Sequence, residues 1–267
     1  MTILDKQSIE EQPSQTLAKA LIILEAFTVD QPEWGVRELS RELGINPTTI
    51  YRIMATYQNA GYLIQDPDTH RYSLGPRVMK LASLYSHINP VPRVAQRVFE
   101  RHSDEFEHNF YLGTLSNNEM VYLTALDGRG PIKVVVEAGG STALHTTALG
   151  KVLLAHQDDE FIWNYIRTTG LPRLTTHSIT DPALLWDMIR EIRRLGFAIN
   201  VGEHYEEVGA IGVPVYEAGG RVKLSVSLAY PYHLVQEKRI NPDDLIPLAR
   251  QIAREISQAM GAPLSRE

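Results

Sequence analysis

Thr48, Thr49, Tyr51 and Arg52 put two short hydroxyls, a phenol and a guanidinium on the first turns of one predicted helix. Such groups suit recognition of nucleic-acid bases. Arginine can donate two hydrogen bonds to one guanine, and threonine can bond a base edge or touch the thymine methyl. The histidines offer a different chemistry. His145, His177, His204 and His233 fall in predicted loops or at element ends, with Glu203, Glu206 and Glu207 around one of them. An oxygen–nitrogen metal site, and an enzyme built on it, is the alternative this raises. No pair has the tight helical spacing of a zinc hydrolase, and loop histidines beside a glutamate-rich turn are usually solvated surface. No metal, cofactor or catalytic residue is therefore expected. Gly139-Gly140 and Gly219-Gly220 read as turns, not phosphate loops, and no Ser/His/Asp arrangement is recoverable. The absence of cysteine excludes disulfides, thiolate metal sites and cysteine nucleophiles.

The base-reading set requires a helix held outward from a small core, and the flanking residues supply one. Leu39, Leu43, Ile45, Ile50 and Ile53 are spaced so that two short helices share apolar contacts, with the small Ser40 at their crossing. Gly44 can end the first helix in the left-handed conformation, Asn46 can cap the second, and Pro47 suits its first position. Together these form the pattern of a helix-turn-helix. Ile50, Ile53, Met54 and Tyr57 fall on one inward stripe, leaving the four polar residues elsewhere. An ordinary helical hairpin with a solvated face would fit the same spacing. The adjoining segment favours DNA: Gly61-Tyr-Leu-Ile-Gln and Arg71-Tyr-Ser-Leu-Gly read as strands around an Asp66-Pro-Asp-Thr-His turn. That hairpin makes a wing, with His70 and Arg71 placed for phosphate or the minor groove. Arg37 is assigned with them to phosphates or the minor groove.

At 267 residues the chain is expected to hold two domains. Its formal net charge of −6 argues against nonspecific coating of nucleic acid. Even Ser14 to Pro76 has slightly more acidic than basic residues, so a third reading stays open. In it the winged helix contacts protein and the second domain is a dimerisation module. No apolar run approaches the roughly 20 residues that span a bilayer, and Met1 to Pro13 lacks a signal-peptide core. A cytoplasmic protein with no membrane partner is expected.

In chain order, a polar arm expected to be disordered precedes a helix over Gln15 to Phe27. Ser14 is its cap, and Leu17, Leu21 and Leu24 are expected to pack inward. Pro76 opens a helix from Arg77 to about His87, with Val78, Leu81, Ala82 and Tyr85 on one stripe. It packs either on its own domain or on the same helix of a second subunit. Asn89-Pro-Val-Pro breaks it. The domains are thus drawn as 14–76, a linker helix 77–89, and 90–263. From Arg93 the pattern is α+β. After one amphipathic helix come strands at Phe110–Leu115, Met120–Leu126 and Ile132–Glu137. Helices come next at Thr147–His156, Asp159–Thr168 and Pro182–Leu195, then strands at Phe197–Asn200, Ala210–Tyr216 and Val222–Ala229. Pro242–Met260 is the last helix. Hairpins around a helical middle predict one antiparallel sheet with helices on it.

Several runs in this order resemble the IclR family of bacterial transcription regulators. They are Pro47-Thr-Thr-Ile-Tyr-Arg, the wing ending in Arg71-Tyr-Ser-Leu-Gly, Leu144-His-Thr-Thr-Ala-Leu-Gly-Lys, Gly196-Phe-Ala-Ile, Ile211-Gly-Val-Pro-Val and Ser225-Val-Ser. The resemblance spans about Ser14 to Pro263. It implies an N-terminal winged helix-turn-helix, a GAF/PAS-like effector-binding domain, and homodimers or homotetramers on palindromic double-stranded operators. It also implies no catalysis, with repression the commoner outcome.

It further implies that the loop of Leu144, Thr146, Thr147, Ala148, Leu149 and Gly150 lies over a small-molecule pocket. Its backbone N–H groups would hold a ligand carboxylate. Thr146 or Thr147 capping a helix there would leave such N–H groups at a positive helix end, although the hydroxyls could equally cap with no ligand. Ser225 and Ser227 share one strand face and match family positions that line the pocket. Asn200 stands where many members are acidic. Ala210, after Gly209, stands where many have cysteine after arginine. Both departures remove polarity or bulk, so a larger or partly aromatic acid, or an uncharged molecule, is expected in place of a very small oxoacid.

Overall fold

The computed structural model describes residues 13–103, 108–128, 136 and 138–262. The chain divides into two compact units between Ile88 and Asn89. Of the sequence-based expectations, the arm before Pro13 and all of the strand at Ile132–Glu137 except Val136 lie outside the described residues.

The first unit opens with α1, Gln15–Glu25, whose cap Ser14 accepts the Leu17 N–H at 3.4 Å. Its buried face runs through Ala18, Ile22 and Ile23, while Leu17 and Leu21 are 59% and 46% exposed. The expected phase of this helix is therefore corrected. Both stripes have helical spacing, so periodicity cannot choose between them, and contact with Leu43 decides for Ala18 and Ile22. The second helix, α2 (Val36–Leu43), ends at Gly44 with φ +63°. The Ser40 hydroxyl closes the turn by donating to the Ile45 carbonyl at 2.6 Å. Asn46 caps α3, Pro47–Asn59, by accepting the Thr48 N–H at 2.9 Å. β1 (Leu63–Gln65) and β2 (Tyr72–Leu74) pair antiparallel as the wing. Trp34 joins the wing by exchanging backbone bonds with Tyr72, and its indole donates to the Ala26 carbonyl at 2.7 Å. Ile23, Leu39, Ile50, Met54, Leu63 and Tyr72 form the core. In α4, Arg77–Ile88, no residue is buried, so packing on its own domain is not realised.

In the second unit, Asn89 accepts the Val91 N–H at the start of α5, Val91–Ser103. Six antiparallel strands form a sheet in the order β5-β4-β3-β8-β7-β6. They are β3 Asn109–Ser116, β4 Glu119–Leu126, β5 Ser141–Ala143, β6 Ala198–Val201, β7 Val208–Tyr216 and β8 Val222–Pro231. Three helices, α6 Ala148–Ala155, α7 Asp159–Thr169 and α8 Pro182–Leu195, cover one face. The other face is covered by α5 and α10, Pro242–Ala259, with the short α9, Tyr232–Gln236, between strand and helix. Side chains alternate across a strand. Phe110, Leu112, Val226 and Leu228 therefore face α5 and α10, and Tyr111, Ala210 and Ala229 face α6.

The start of α6 touches the sheet backbone directly. A Cβ on Gly212 would stand 2.5 Å from the Ala148 carbonyl oxygen, and one on Gly150 would collide with the Leu144 backbone. Gly212→Ala should therefore lower the unfolding free energy by about 1–3 kcal/mol, as overpacking does. Urea denaturation measures this, and an unchanged midpoint would contradict so close an approach.

Candidate functional site

Two surfaces merit attention, one in each unit. In the first, capping by Asn46 fixes the start of α3, and burial of Ile50, Ile53 and Met54 fixes its rotation. Thr48, Tyr51 and Arg52 consequently face solvent, with Thr49 half-buried beside them. Tyr51 is 56% exposed. Arg37 on α2 is also exposed, and neither its guanidinium nor that of Arg52 has a hydrogen-bond or ion-pair partner among the described residues. His70 sits at the wing tip with φ +56°. The turn before it is tied by Asp66, whose carboxylate accepts the Asp68 and Thr69 N–H groups and the Thr69 hydroxyl. Those bonds hold the Asp66 carboxyl below its ordinary range.

Arg71 is directed inward, unlike Arg52. Its Nη2 donates to Glu38 at 2.8 Å and to the Glu33 carbonyl at 2.9 Å. The Glu38 carboxylate also accepts the Gly35 N–H that opens α2. Arg71 thus braces the wing against α2, and its Nη1 has no described partner.

In the second unit a recess opens between the start of α6 and the sheet. It holds about 40 Å³ of cavity space, and about 420 Å³ of atom-free space once its open mouth is counted. Of the residues the sequence nominates, Thr147, Ala148, Leu149, Asn200, Ala210 and Ser227 are in its wall. The others support that wall from behind. Leu144 is buried in the core, Thr146 donates its hydroxyl to the Ala143 carbonyl, and Gly150 gives its N–H to the Thr147 hydroxyl. Ser225 donates to the Leu149 carbonyl at 3.0 Å, which fastens α6 to β8. Thr147, not Thr146, is the cap of α6. The Ala148 and Leu149 N–H groups, in the first turn, have no carbonyl partner within the helix.

The wall also contains residues that the sequence does not nominate for the effector site: Tyr111, Tyr122, Val136, His204, Tyr205, Val208 and Ala229. Alternation placed Tyr111 and Ala229 on this face, but nothing local to Tyr122 or His204 signals a shared cavity. Tyr111 and Tyr122 meet edge to face at 5.8 Å. Burial raises both phenols above their ordinary values, so both are neutral. Asn200 is buried, donating to the Thr146 carbonyl at 2.6 Å and accepting the Glu203 N–H at 3.4 Å. It therefore removes a charge from the wall but keeps a polar clamp.

Behind the wall lies an ion pair that no sequence motif signals. The Lys151 ammonium on α6 is 1% exposed and donates to Glu203 at 2.5 Å and to the Ile199 carbonyl at 2.7 Å. Burial lowers its pKa, and Glu203 opposes that shift. The loop after Glu203 carries His204 and Tyr205. Thr175 donates to the Gly202 carbonyl, and Ser178 to that of Glu203. His145, a metal candidate by sequence, has both ring nitrogens engaged, Nδ1 with the Tyr165 hydroxyl at 2.7 Å and Nε2 with the Pro172 carbonyl at 3.2 Å. Among the described residues no three His, Asp or Glu side chains group as metal ligands.

Comparison with known proteins places this geometry in context. A family model described as bacterial transcriptional regulator IclR C-terminal matches residues 84–258, and the IclR helix-turn-helix domain matches residues 16–67. The HTH-type transcriptional regulator KdgR of Escherichia coli K12 is 26% identical over 255 residues, 95% of this chain and 96% of the relative. The p-hydroxybenzoate hydroxylase transcriptional activator of Acinetobacter baylyi is 30% identical over 249 residues, 90% of this chain and 89% of the relative. A crystal structure of a putative IclR transcriptional regulator from a Silicibacter species aligns with TM-score 0.80 at 28% identity, covering 94% of this chain and 98% of that one.

The polar network has two measurable consequences. Lys151→Met leaves the Glu203 carboxylate buried without its partner and should cost about 3–5 kcal/mol. Adding Glu203→Leu should recover most of that loss, and a double variant no more stable than the single would contradict a paired buried charge. Burial also holds His145, His156 and His204 below the ordinary imidazole value. The unfolded chain then takes up protons before the folded one. Stability is full above the unfolded pKa of about 6.5 and is lost as pH falls through the lower folded values. Melting temperature should be level above about pH 7 and decline from about pH 6.5 downward. A melting temperature rising over that lower interval would reverse the assignment.

Proposed function

The chain belongs to the IclR family of bacterial transcriptional regulators, and from that membership we propose how it reads DNA and what it senses. As a helix-turn-helix transcriptional regulator it is not an enzyme, and among the described residues no helix is long and apolar enough to cross a membrane. In this proposal α3 enters the major groove, where Thr48, Thr49, Tyr51 and Arg52 meet base edges. Arg37 and His70 contact phosphate, and Arg71 sets the angle of the wing while its Nη1 reaches the same backbone. The unburied Met79, Leu81, Leu84 and Tyr85 of α4 pack against a second copy. Two α3 helices then face the two halves of a palindromic operator, as a homodimer or a pair of dimers.

The ligand is an aromatic or comparably large carboxylic acid. The observation that carries this is the recess itself, which joins the unpaired N–H groups at the positive end of α6 to a wall of Tyr111, Tyr122 and Tyr205. The 30% identical relative is named for control of p-hydroxybenzoate hydroxylase, so hydroxylated benzoates are the first probes. To regulate, the acid must bind one arrangement of the protein better than another. Repression, released by the acid, is the sense of regulation proposed.

DNA titration at two salt concentrations tests the first half. Affinity for the protein's own promoter region should fall steeply with added salt. Arg52→Ala should weaken it by about 1–3 kcal/mol, the value of a bidentate base contact. Salt-independent or absent binding would favour use of the wing for protein contact instead. For the second half, benzoates should raise the melting temperature by mass action and relieve a promoter reporter. A reporter that falls in the gene's absence would reverse the sign.

A further inference from the structure

The loop after Glu203 holds a side chain for which the ion pair and the helix start give no role. His204 lies in the wall of the recess, stacked edge-on against Tyr205 with centroids 4.4 Å apart. Its Nδ1 is 3.3 Å from both the Thr142 and the Thr146 hydroxyl oxygens. The Thr146 hydroxyl proton is directed at the Ala143 carbonyl, 3.0 Å away. Toward the imidazole this oxygen can therefore only accept. A bare Nδ1 would set its lone pair against those of Thr146, whereas a protonated Nδ1 satisfies Thr146 and leaves Thr142 free to accept as well. In the neutral ring a proton on Nδ1 makes Nε2 an acceptor. No described residue donates to Nε2, and it is not among the fully buried unsatisfied atoms.

We propose that His204 is a specificity-determining residue of the effector site, whose unprotonated Nε2 accepts a hydrogen bond from a hydroxyl on the bound acid. This deepens the aromatic-acid reading and rests on it. The carboxylate lies at the start of α6, and the hydroxyl, carried by the same ring, is read at the loop. Burial holds the imidazole neutral, so it neither attracts a second carboxylate nor donates to one. Acids without the hydroxyl leave Nε2 without that partner, which is how a pocket built to bond a hydroxyl disfavours the analogue lacking it. Thr142 and Thr146 are positioning residues, acting through the ring.

Two measurements on the full chain test this. Long-range proton–nitrogen spectra of the ligand-free protein at neutral pH report the tautomer. The His204 signals are identified by their disappearance in His204→Phe or, should that variant unfold, in His204→Gln. Protonation at Nδ1 is expected, and protonation at Nε2 overturns the proposal. Calorimetry with 4-hydroxybenzoate and benzoate then reads the preference. The wild-type protein should bind the hydroxylated acid on the order of tenfold more tightly or better. In His204→Phe the ratio should fall to about one while benzoate affinity stays within about threefold. A preference that survives the substitution sinks the role of His204 alone. Binding of neither acid by the wild-type protein sinks the aromatic-acid reading beneath it, whatever the tautomer.

Discussion

A fully buried ammonium is tolerable only beside a carboxylate and further acceptors, and the sensor unit is arranged around meeting that condition for Lys151. The ammonium leaves α6 and reaches two things at once, the edge strand β6 through the Ile199 carbonyl and the loop beyond it through Glu203. Glu203 in turn takes its place because Asn200 accepts its N–H and Ser178 donates to its carbonyl. One helix, one edge strand and two loops are therefore mutually fixed. The first residues of the same helix are also fixed by different means, the Ser225 bond to Leu149 and the bare backbone contact of Gly212 with Ala148. A helix pinned at Ala148, Leu149 and Lys151 keeps its first turn at a constant distance from the strands opposite. That constant distance is the recess.

Much of the DNA-binding unit is legible in the chain because its determinants are local. Gly44, Asn46 and Pro47 act within a few residues of themselves, and the Ile50, Ile53, Met54 stripe needs only helical geometry. The same reasoning fails for α1, where Leu17-Leu21 and Ala18-Ile22 are equally periodic and only a tertiary contact with Leu43 separates them. Arg71 is a second case. Its place near a wing tip is readable, but its direction is set by Glu38, far earlier in the chain. In the sensor unit the alternation of β8 correctly put Ser225 and Ser227 on one face, but one step along the strand separates a residue in the wall from one beneath the helix. Tyr122, His204 and Val208 come from three strands or loops with nothing local in common. Their meeting is a property of the sheet order, which no single segment carries.

The first unit shows how a nearly neutral domain can still present unpaired guanidiniums. Glu33 and Glu38 are both turned to Arg71, so their charges are met within the domain. Arg37 and Arg52 are left without carboxylate partners among the described residues. A weak overall field with a few unpaired guanidiniums favours contacts that depend on position over general attraction to phosphate.

The recess draws its wall from separate stretches of chain, while the parts that hold α6 in place are a different set of residues. Tyr111, Val208, Ala210 and Ala229 touch the cavity but take no part in the Lys151 network or the Gly212 contact. Substitutions at those four positions change the shape of the cavity and leave the Lys151 network and the Gly212 contact in place. The scaffold is therefore open to change in one direction and closed in another. Its chemical appetite can change through single replacements, while the polar anchors that hold the start of α6 stay as they are.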